Sequence, residues 1–446
     1  MKNASVEVEA VNARLPLSGD DRLYTLRIAN GEWIGIEPQE SAVSAERHVP
    51  IAELGLQELA ESPLLDLQGR VVLPGFVDAH MHLDKAYTVS KVRNVSGTLL
   101  EAIENYRSYA PKFSKENIRE RIVRAALSAA SYGTLTLRSH LDVAFHLGRD
   151  VAMRTVEAAL EAREQVKSFV DIQYFPMFFY DPANEQALTE FAEETLRMGI
   201  DGVGGAPHLT PDPAKNIDWA FRLATRFDRP IDLHTDETDD PSMKTIDVYC
   251  DYVLRHRYQG RATAGHLCSL SAMEQEEADR LIAKMAEAGI GAVTLPPVNL
   301  YLQGRGDKGN VRRGVTRVRE LATAGVPIAA ASDNIQDPFH PFGRGDLLQI
   351  GLVTAYAAHL AKEEDIPTLL RMLTSLPAQI TDTRPYGIEP NHPAGFVVLD
   401  AKSGEELFQE IPATRWVYNR SRWIHASRLN RQWAQAWQPP GMESIG

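Results

Sequence analysis

Two histidines one residue apart, His80 and His82, close a short apolar run that starts at Val77. Side chains at i and i+2 of a strand share a face, so both imidazoles can converge on one point. Neutral imidazole is the commonest protein ligand for a catalytic metal. An isolated His-x-His is more often a pair of hydrogen-bonded core histidines, so the rest of the chain has to decide between the two. It supplies His234-Thr235-Asp236-Glu237, Gly265-His266 and Ser332-Asp333-Asn334, each at the end of another apolar run. His80, His82, His234 and Asp333 together make a mononuclear nitrogen/oxygen metal site. Glu237, three residues beyond His234, can take a proton from water at such a site and deliver it to a leaving nitrogen. Its alternative is an acid in the first turn of the following helix. His266 either acts on water or a substrate carbonyl, or packs behind the site. Asp333 is read as a ligand or a base toward water.

The elements that must position these residues follow from the apolar pattern. Runs at 77–82, Thr134–His140, Val170–Pro176, Ile200–Pro207, Pro230–His234, Ala262–Leu267, Gly291–Leu295 and Pro327–Asp333 read as strands. Helical patterns lie between them, among others at 114–131, 148–167, 184–198, 243–257, 271–288 and 314–324. Gly133, Gly199, Gly289 and Gly325 stand where helix C-termini belong. Eight strand–helix units in sequence predict an α/β fold with a (β/α)8 TIM-like barrel, whose chemistry sits at the C-terminal ends of the strands. The flanks carry strand-like pieces, including a hairpin signal at Asn30-Gly31 and a run at Gly395–Asp400. The expected division is residues 1–70 and 386–446 as two halves of one small β-sandwich, and 71–385 as the metal-dependent barrel.

Composition narrows the classes. The 446-residue chain has 47 basic and 60 acidic side chains, a net charge of -13, which disfavours nucleic-acid binding. No apolar run reaches the ~18 residues of a membrane span. No secretory signal pattern is seen, and Cys250 and Cys268 are too few for a disulfide framework, so a cytoplasmic setting is expected. Gly304-Arg305-Gly306-Asp307-Lys308-Gly309 matches a dinucleotide-binding pattern, but no Rossmann unit encloses it. It reads as a mobile loop over the barrel mouth.

The set His80-x-His82, His234 with Glu237, His266 and Asp333 resembles the amidohydrolase superfamily, and within it the cytosine deaminase and N-isopropylammelide amidohydrolase-like branch. The resemblance runs from about residue 71 to 360. It also rests on Leu83-Asp84, Arg138–Val143, Val298–Arg305, Arg312–Val318 and Asp337-Pro338-Phe339. It implies one divalent metal ion per subunit, Zn2+ or Fe2+, on His80, His82, His234 and Asp333, with Glu237, His266 and Asp333 catalytic, and a homo-oligomer. Three departures bear on the substrate. Cytosine deaminases carry Phe-Pro-Gln at the third strand, and this chain has the apolar Phe175-Pro176-Met177-Phe178-Phe179. They carry a second aspartate where Asn334 stands. Lys85 follows Asp84, as in the N-isopropylammelide enzymes, and is either a partner for a substrate oxyanion or ring carbonyl or a solvated loop lysine. Lys85, Met177, Phe178 and Asn334 are therefore the candidate substrate-binding residues. The expected activity is deamination of a small nitrogen heterocycle such as a pyrimidine, triazine or pterin. Opening of a cyclic amide and a non-catalytic metabolite-binding barrel are the alternatives.

Overall fold

The computed structural model describes residues 7–43 and 47–432. Eight parallel strands carry the centre of the chain: β1 (Phe76–Met81), β2 (Thr134–Leu141), β3 (Asp171–Pro176), β4 (Val203–Gly205), β5 (Ile231–Thr235), β6 (Ala262–His266), β7 (Gly291–Thr294) and β8 (Ile328–Ala330). They form a three-stranded sheet, β1-β2-β3, and a five-stranded sheet, β4 to β8 in order. Isolated parallel bridges link the two sheets at both edges, Met177 to Gly204 and Met81 to Asp333. All but two positions of β1 to β3 are fully buried, as expected for parallel strands covered on both faces.

The expected strands and helices recur within a few residues, with informative exceptions. The run at 200–207 keeps only Val203–Gly205 as strand. Here the chain lies so close to β3 that a Cβ on Gly202 would fall 2.0 Å from the Phe175 ring and one on Gly204 2.7 Å from the Pro176 carbonyl oxygen. The helical pattern at 366–380 divides into Ile366–Leu373 and Ser375–Ile380 at Thr374. Helices Leu99–Tyr109 and Pro213–Phe227 were not foreseen.

Both flanks join one mixed sheet of nine strands. Asn30 and Gly31, both at positive φ, form the two-residue turn between Leu23–Ala29 and Glu32–Pro38. Val71–Pro74, expected within the barrel, instead pairs antiparallel with Gly395–Leu399 and so ties the two ends of the chain together. The sheet is strongly curled. Trp33 and Phe396 lie four strand positions apart, roughly 19 Å in a flat sheet at the usual strand spacing, yet their ring centroids are 5.1 Å apart. The curl encloses its own apolar core of Trp33, Phe396, Trp416, Tyr418 and Trp423. No helix among the described residues is long and apolar enough to cross a membrane.

Candidate active site

The chemistry-bearing residues meet at the C-terminal ends of the strands. His80 lies within β1 and His82 just beyond it, and both are buried. The backbone stitches this end to the end of β8. The Asp333 N–H donates to the His80 carbonyl at 2.8 Å, and the His82 N–H donates to the Asp333 carbonyl at 3.1 Å. His234 is on β5, and His266 closes β6. His266, Leu267 and Asp333 have φ of 70°, 54° and 58°. Three non-glycine residues in the left-handed region cost on the order of 1–3 kcal/mol each, and such strain concentrates where side-chain aim matters.

The donors stand at the spacing of ligands sharing one cation. His82 Nε2 is 3.1 Å from His234 Nε2 and 3.3 Å from Asp333 Oδ1, which is 3.6 Å from His80 Nε2. Donors about 2.1 Å from a common tetrahedral cation stand roughly 3.4 Å apart. The His82 Nδ1–H donates to the His140 carbonyl at 3.0 Å, which leaves the Nε2 lone pair facing the site. His80 Nε2 and both Asp333 carboxylate oxygens are buried without a hydrogen-bond partner. Buried polar groups are nearly always paired, and a cation would satisfy all of these atoms at once. Burial pushes the pKa of His80, His82 and His234 well below the usual 6.5, which keeps the imidazoles neutral and able to ligate. The residues therefore fit a divalent metal. His80, His82 and His234 form one ligand-capable group, and His80, His266 and Asp333 another.

Glu237 enters through a reversal after β5. Asp236, at φ 53°, accepts the N–H groups of Thr245 and Ile246 with its carboxylate, at 3.0 and 3.1 Å, and so caps the following helix, Thr245–His256. The helix-start acid is therefore Asp236, and Glu237 turns inward, with Oε1 3.6 Å from His266 Nδ1. Burial, reinforced by the Asp333 charge and opposed by Lys85, pushes the pKa of the Glu237 carboxyl well above the usual carboxylate range, which strengthens it as a base. The Asn299 side-chain amide hydrogen-bonds His266 Nδ1 at 3.0 Å and fixes that ring.

A small cavity of about 30 Å³ opens onto this cluster. His82, His234, Glu237, His266 and Asp333 form its polar floor, while Leu99, Ile103, Met177, Phe179, Leu209 and Phe339 form much of its wall. Lys85 and Asn334 also line it. Lys85 is 2% exposed, which removes the solvated reading; its Nζ lies 3.5 Å from Asp142 Oδ2 and 4.5 Å from the Phe339 ring centre. Phe178, the fourth candidate contact, does not line the cavity. It packs against Trp219 and Phe191, with ring centres 5.7 and 6.4 Å away, because beyond Pro176 neighbouring side chains point to opposite sides, and Phe179 is the one that faces the substrate space. The glycine-rich segment is tied down at both ends. The Gly304 N–H donates to Asp239 Oδ2 at 2.6 Å, and Arg312 pairs with Asp307 at 2.5 Å.

Three buried residues beside the cluster were missed. His140 on β2 lies against His80 with the rings tilted by 31° and their centres 4.0 Å apart. Asp232 on β5 holds Arg138 at 2.9 Å and lies 3.6 Å from His140 Nε2. His208 donates from Nδ1 to the His234 carbonyl at 3.1 Å. The available signal was polar residues at alternate positions of otherwise apolar strands, Arg138 with His140 and Asp232 with His234.

The amidohydrolase family profile matches residues 64–163 and 157–420. The chain belongs to the amidohydrolase family. This amidohydrolase is 32% identical over 371 residues to a pterin deaminase of Rhizobium rhizogenes, covering 82% of this chain and 84% of that one. It is 30% identical over 406 residues to the N-isopropylammelide isopropyl amidohydrolase of a Pseudomonas species, covering 87% and 90%. Among solved structures it resembles the 5-methylcytosine deaminase of Klebsiella pneumoniae, with TM-score 0.86 and 26% identity over 96% of this chain and 100% of that one.

Proposed function

We propose that this amidohydrolase is a metal-dependent aminohydrolase that releases ammonia or an alkylamine from a small nitrogen heterocycle. The observation that carries the reading is Glu237: a buried carboxyl with Oε1 3.6 Å from His266 Nδ1, set in one cavity with His82, His234, His266 and Asp333. The activities named for the relatives, on a pterin, an ammelide and a methylcytosine, all remove nitrogen from such rings. His80, His82, His234 and Asp333 would hold a divalent cation, Zn2+ or Fe2+, which would supply the Lewis acidity that activates water. Glu237 accepts a proton from water and returns it to the departing nitrogen. His266, held by Asn299, faces the ring carbon under attack or its oxyanion. The wall of Leu99, Ile103, Met177, Phe179 and Phe339 packs the ring faces and excludes water.

We read the eight strands as one closed barrel, with the edge bridges of β3 to β4 and β1 to β8 as its seams, and the curled sheet built from both chain ends as a small β-sandwich beside it. The two free cysteines, both buried, fit a cytoplasmic setting, and we extend the reading to a homo-oligomer. The test is metal analysis followed by ammonia and amine assays over amino-pyrimidines, pterins and amino-triazines. Ammonia or amine release by the metal-loaded protein is expected. A product with a new carboxylate and no released nitrogen would replace the reading with opening of a cyclic amide.

A further inference from the structure

The surroundings of Asn334, next to Asp333 at the end of β8, bear on which end of its amide the substrate meets. The side chain is 3% exposed and lines the cavity. Its Nδ2 donates to Asp337 Oδ2 at 2.6 Å. Asp337, wholly buried, cannot turn away. Its Oδ1 accepts the N–H groups of Phe339 and His340, at 2.9 and 3.1 Å. The Asn334 backbone is held as well, since its carbonyl accepts His340 Nδ1–H at 3.1 Å. With one N–H of the amide held by Asp337, its carbonyl oxygen is left without a side-chain anchor and able to accept from a substrate in the cavity. In the same cavity Lys85 offers only donors. An acceptor and a cationic donor in one small, mostly apolar space are complementary to a ring N–H beside a ring C=O.

We propose that Asp337 is a positioning residue that holds the Asn334 carbonyl toward the substrate, so that Asn334 and Lys85 together read a lactam edge, –NH–C(=O)–, on the amino-heterocycle. The inference rests on the deaminase reading above and assigns the residues that recognise the lactam edge of such a ring. An asparagine free to rotate would accept either an N–H or a bare ring nitrogen; one tied to Asp337 discriminates between them, because an unmatched polar atom in a closed site is costly to bury.

The test is calorimetric binding to Zn2+-loaded Glu237→Gln protein, which keeps the ligand intact. The probes are isocytosine and pterin, each paired with its counterpart methylated at the lactam nitrogen. The parent should prefer the N–H probe by about tenfold or more, the value of one well-placed hydrogen bond. Asp337→Asn should shrink that preference below about threefold, and Asn334→Ala should abolish it. The exchange Asn334→Asp with Asp337→Asn should restore it, because a carboxylate at 334 accepts from both the new amide and the substrate. A merely structural role predicts a changed melting temperature with the preference intact. Equal binding of the paired probes by the parent, or full preference in folded Asp337→Asn and Asn334→Ala proteins, would overturn the inference. Ammonia assays on the wild-type protein keep the two readings separate. Release only from amino-heterocycles without a lactam edge sinks this inference and leaves the deaminase reading. Release from none, with the binding preference present, does the reverse.

Discussion

Two buried polar clusters in this molecule have opposite hydrogen-bond accounts. Arg415, on the strand Arg415–Asn419 of the terminal sheet, meets Asp346, the N-cap of helix Leu347–Ala357, in a two-pronged pair at 2.9 and 2.8 Å. The remaining donors of Arg415 reach the carbonyls of Pro412 and Tyr132, at 2.7 and 2.9 Å, and Asp346 also accepts from Arg344 and the Leu348 N–H. Every charge there is answered by the chain itself. At the strand ends, by contrast, His80 and Asp333 keep buried donors and acceptors without partners, and His82 and His234 point Nε2 at each other. The first cluster joins two parts of the fold. The second is unfinished without a cation and substrate, and that incompleteness marks it as functional.

The comparison breaks first where the effect is largest. Removing the metal by chelation, or replacing His82 with Ala, should lower turnover by at least about 10³-fold, because the Lewis-acid contribution is worth several kcal/mol. Re-addition of Zn2+ or Fe2+ should restore the chelated wild-type protein and not the variant. The metal-free variant should melt within a few degrees of metal-free wild type, since the lost imidazole removes only its contacts to the His140 carbonyl and to His234 Nε2. A large stability loss would instead make the cluster structural.

Glu237→Gln comes next. It keeps the shape of the side chain and removes only its exchangeable proton, so turnover should fall by about 10²–10⁴-fold with metal content and melting temperature unchanged. Near-wild-type turnover would show that the proton moves elsewhere.

The clamp should answer in the opposite currency. Asp346→Ala strands the buried Arg415 charge, and unfolding free energy should drop by about 3–5 kcal/mol in denaturant titrations, with turnover of the folded fraction unchanged. Pairing Asp346→Leu with Arg415→Met should recover much of that loss, because a well-packed apolar pair of similar volume costs less than an orphaned ion. If turnover fell in step with stability, the clamp and the site would not be separable.

The part of this division that was legible in the sequence is the part set by local period. Apolar runs and helical spacing fixed the eight parallel strands, and the strand ends then named His80, His82, His234, Glu237, His266 and Asp333 together. Residues paired across long sequence separations were not legible. Nothing near Val71–Pro74 announces that its partner is Gly395–Leu399, and nothing near Asp346 announces Arg415. Inward-facing polar residues inside strands were lost for another reason. Arg138 and Asp232 interrupt apolar runs, and a reading of strand ends passes over strand middles, while His140 closes its run without a second histidine or an acid beside it to draw notice. Phe178 failed through the pleat, since one step along the chain exchanges a cavity wall for a helix-facing core.

His208, beside His234, gives the smallest and sharpest test. One ring nitrogen is answered by the His234 carbonyl at 3.1 Å, and the other is buried without a partner. Burial lowers its pKa from 6.5 to about 4. The unfolded chain therefore takes up this proton as pH falls through 6.5, while the folded protein resists until pH is near 4. Between those values the unfolded state holds more protons, so stability rises with pH; the contribution is complete above pH 6.5 and lost as pH falls toward 4. A shift of this size is worth about 3 kcal/mol. His208→Gln retains an N–H for the His234 carbonyl and does not titrate. The stability of wild type relative to this variant, measured by denaturant unfolding of the metal-free proteins, should therefore decline by about 3 kcal/mol between pH 7 and pH 4. The other histidines titrate in both proteins and cancel in the difference. A gap that stays constant across this range would mean that His208 is answered at both nitrogens and belongs with the clamp.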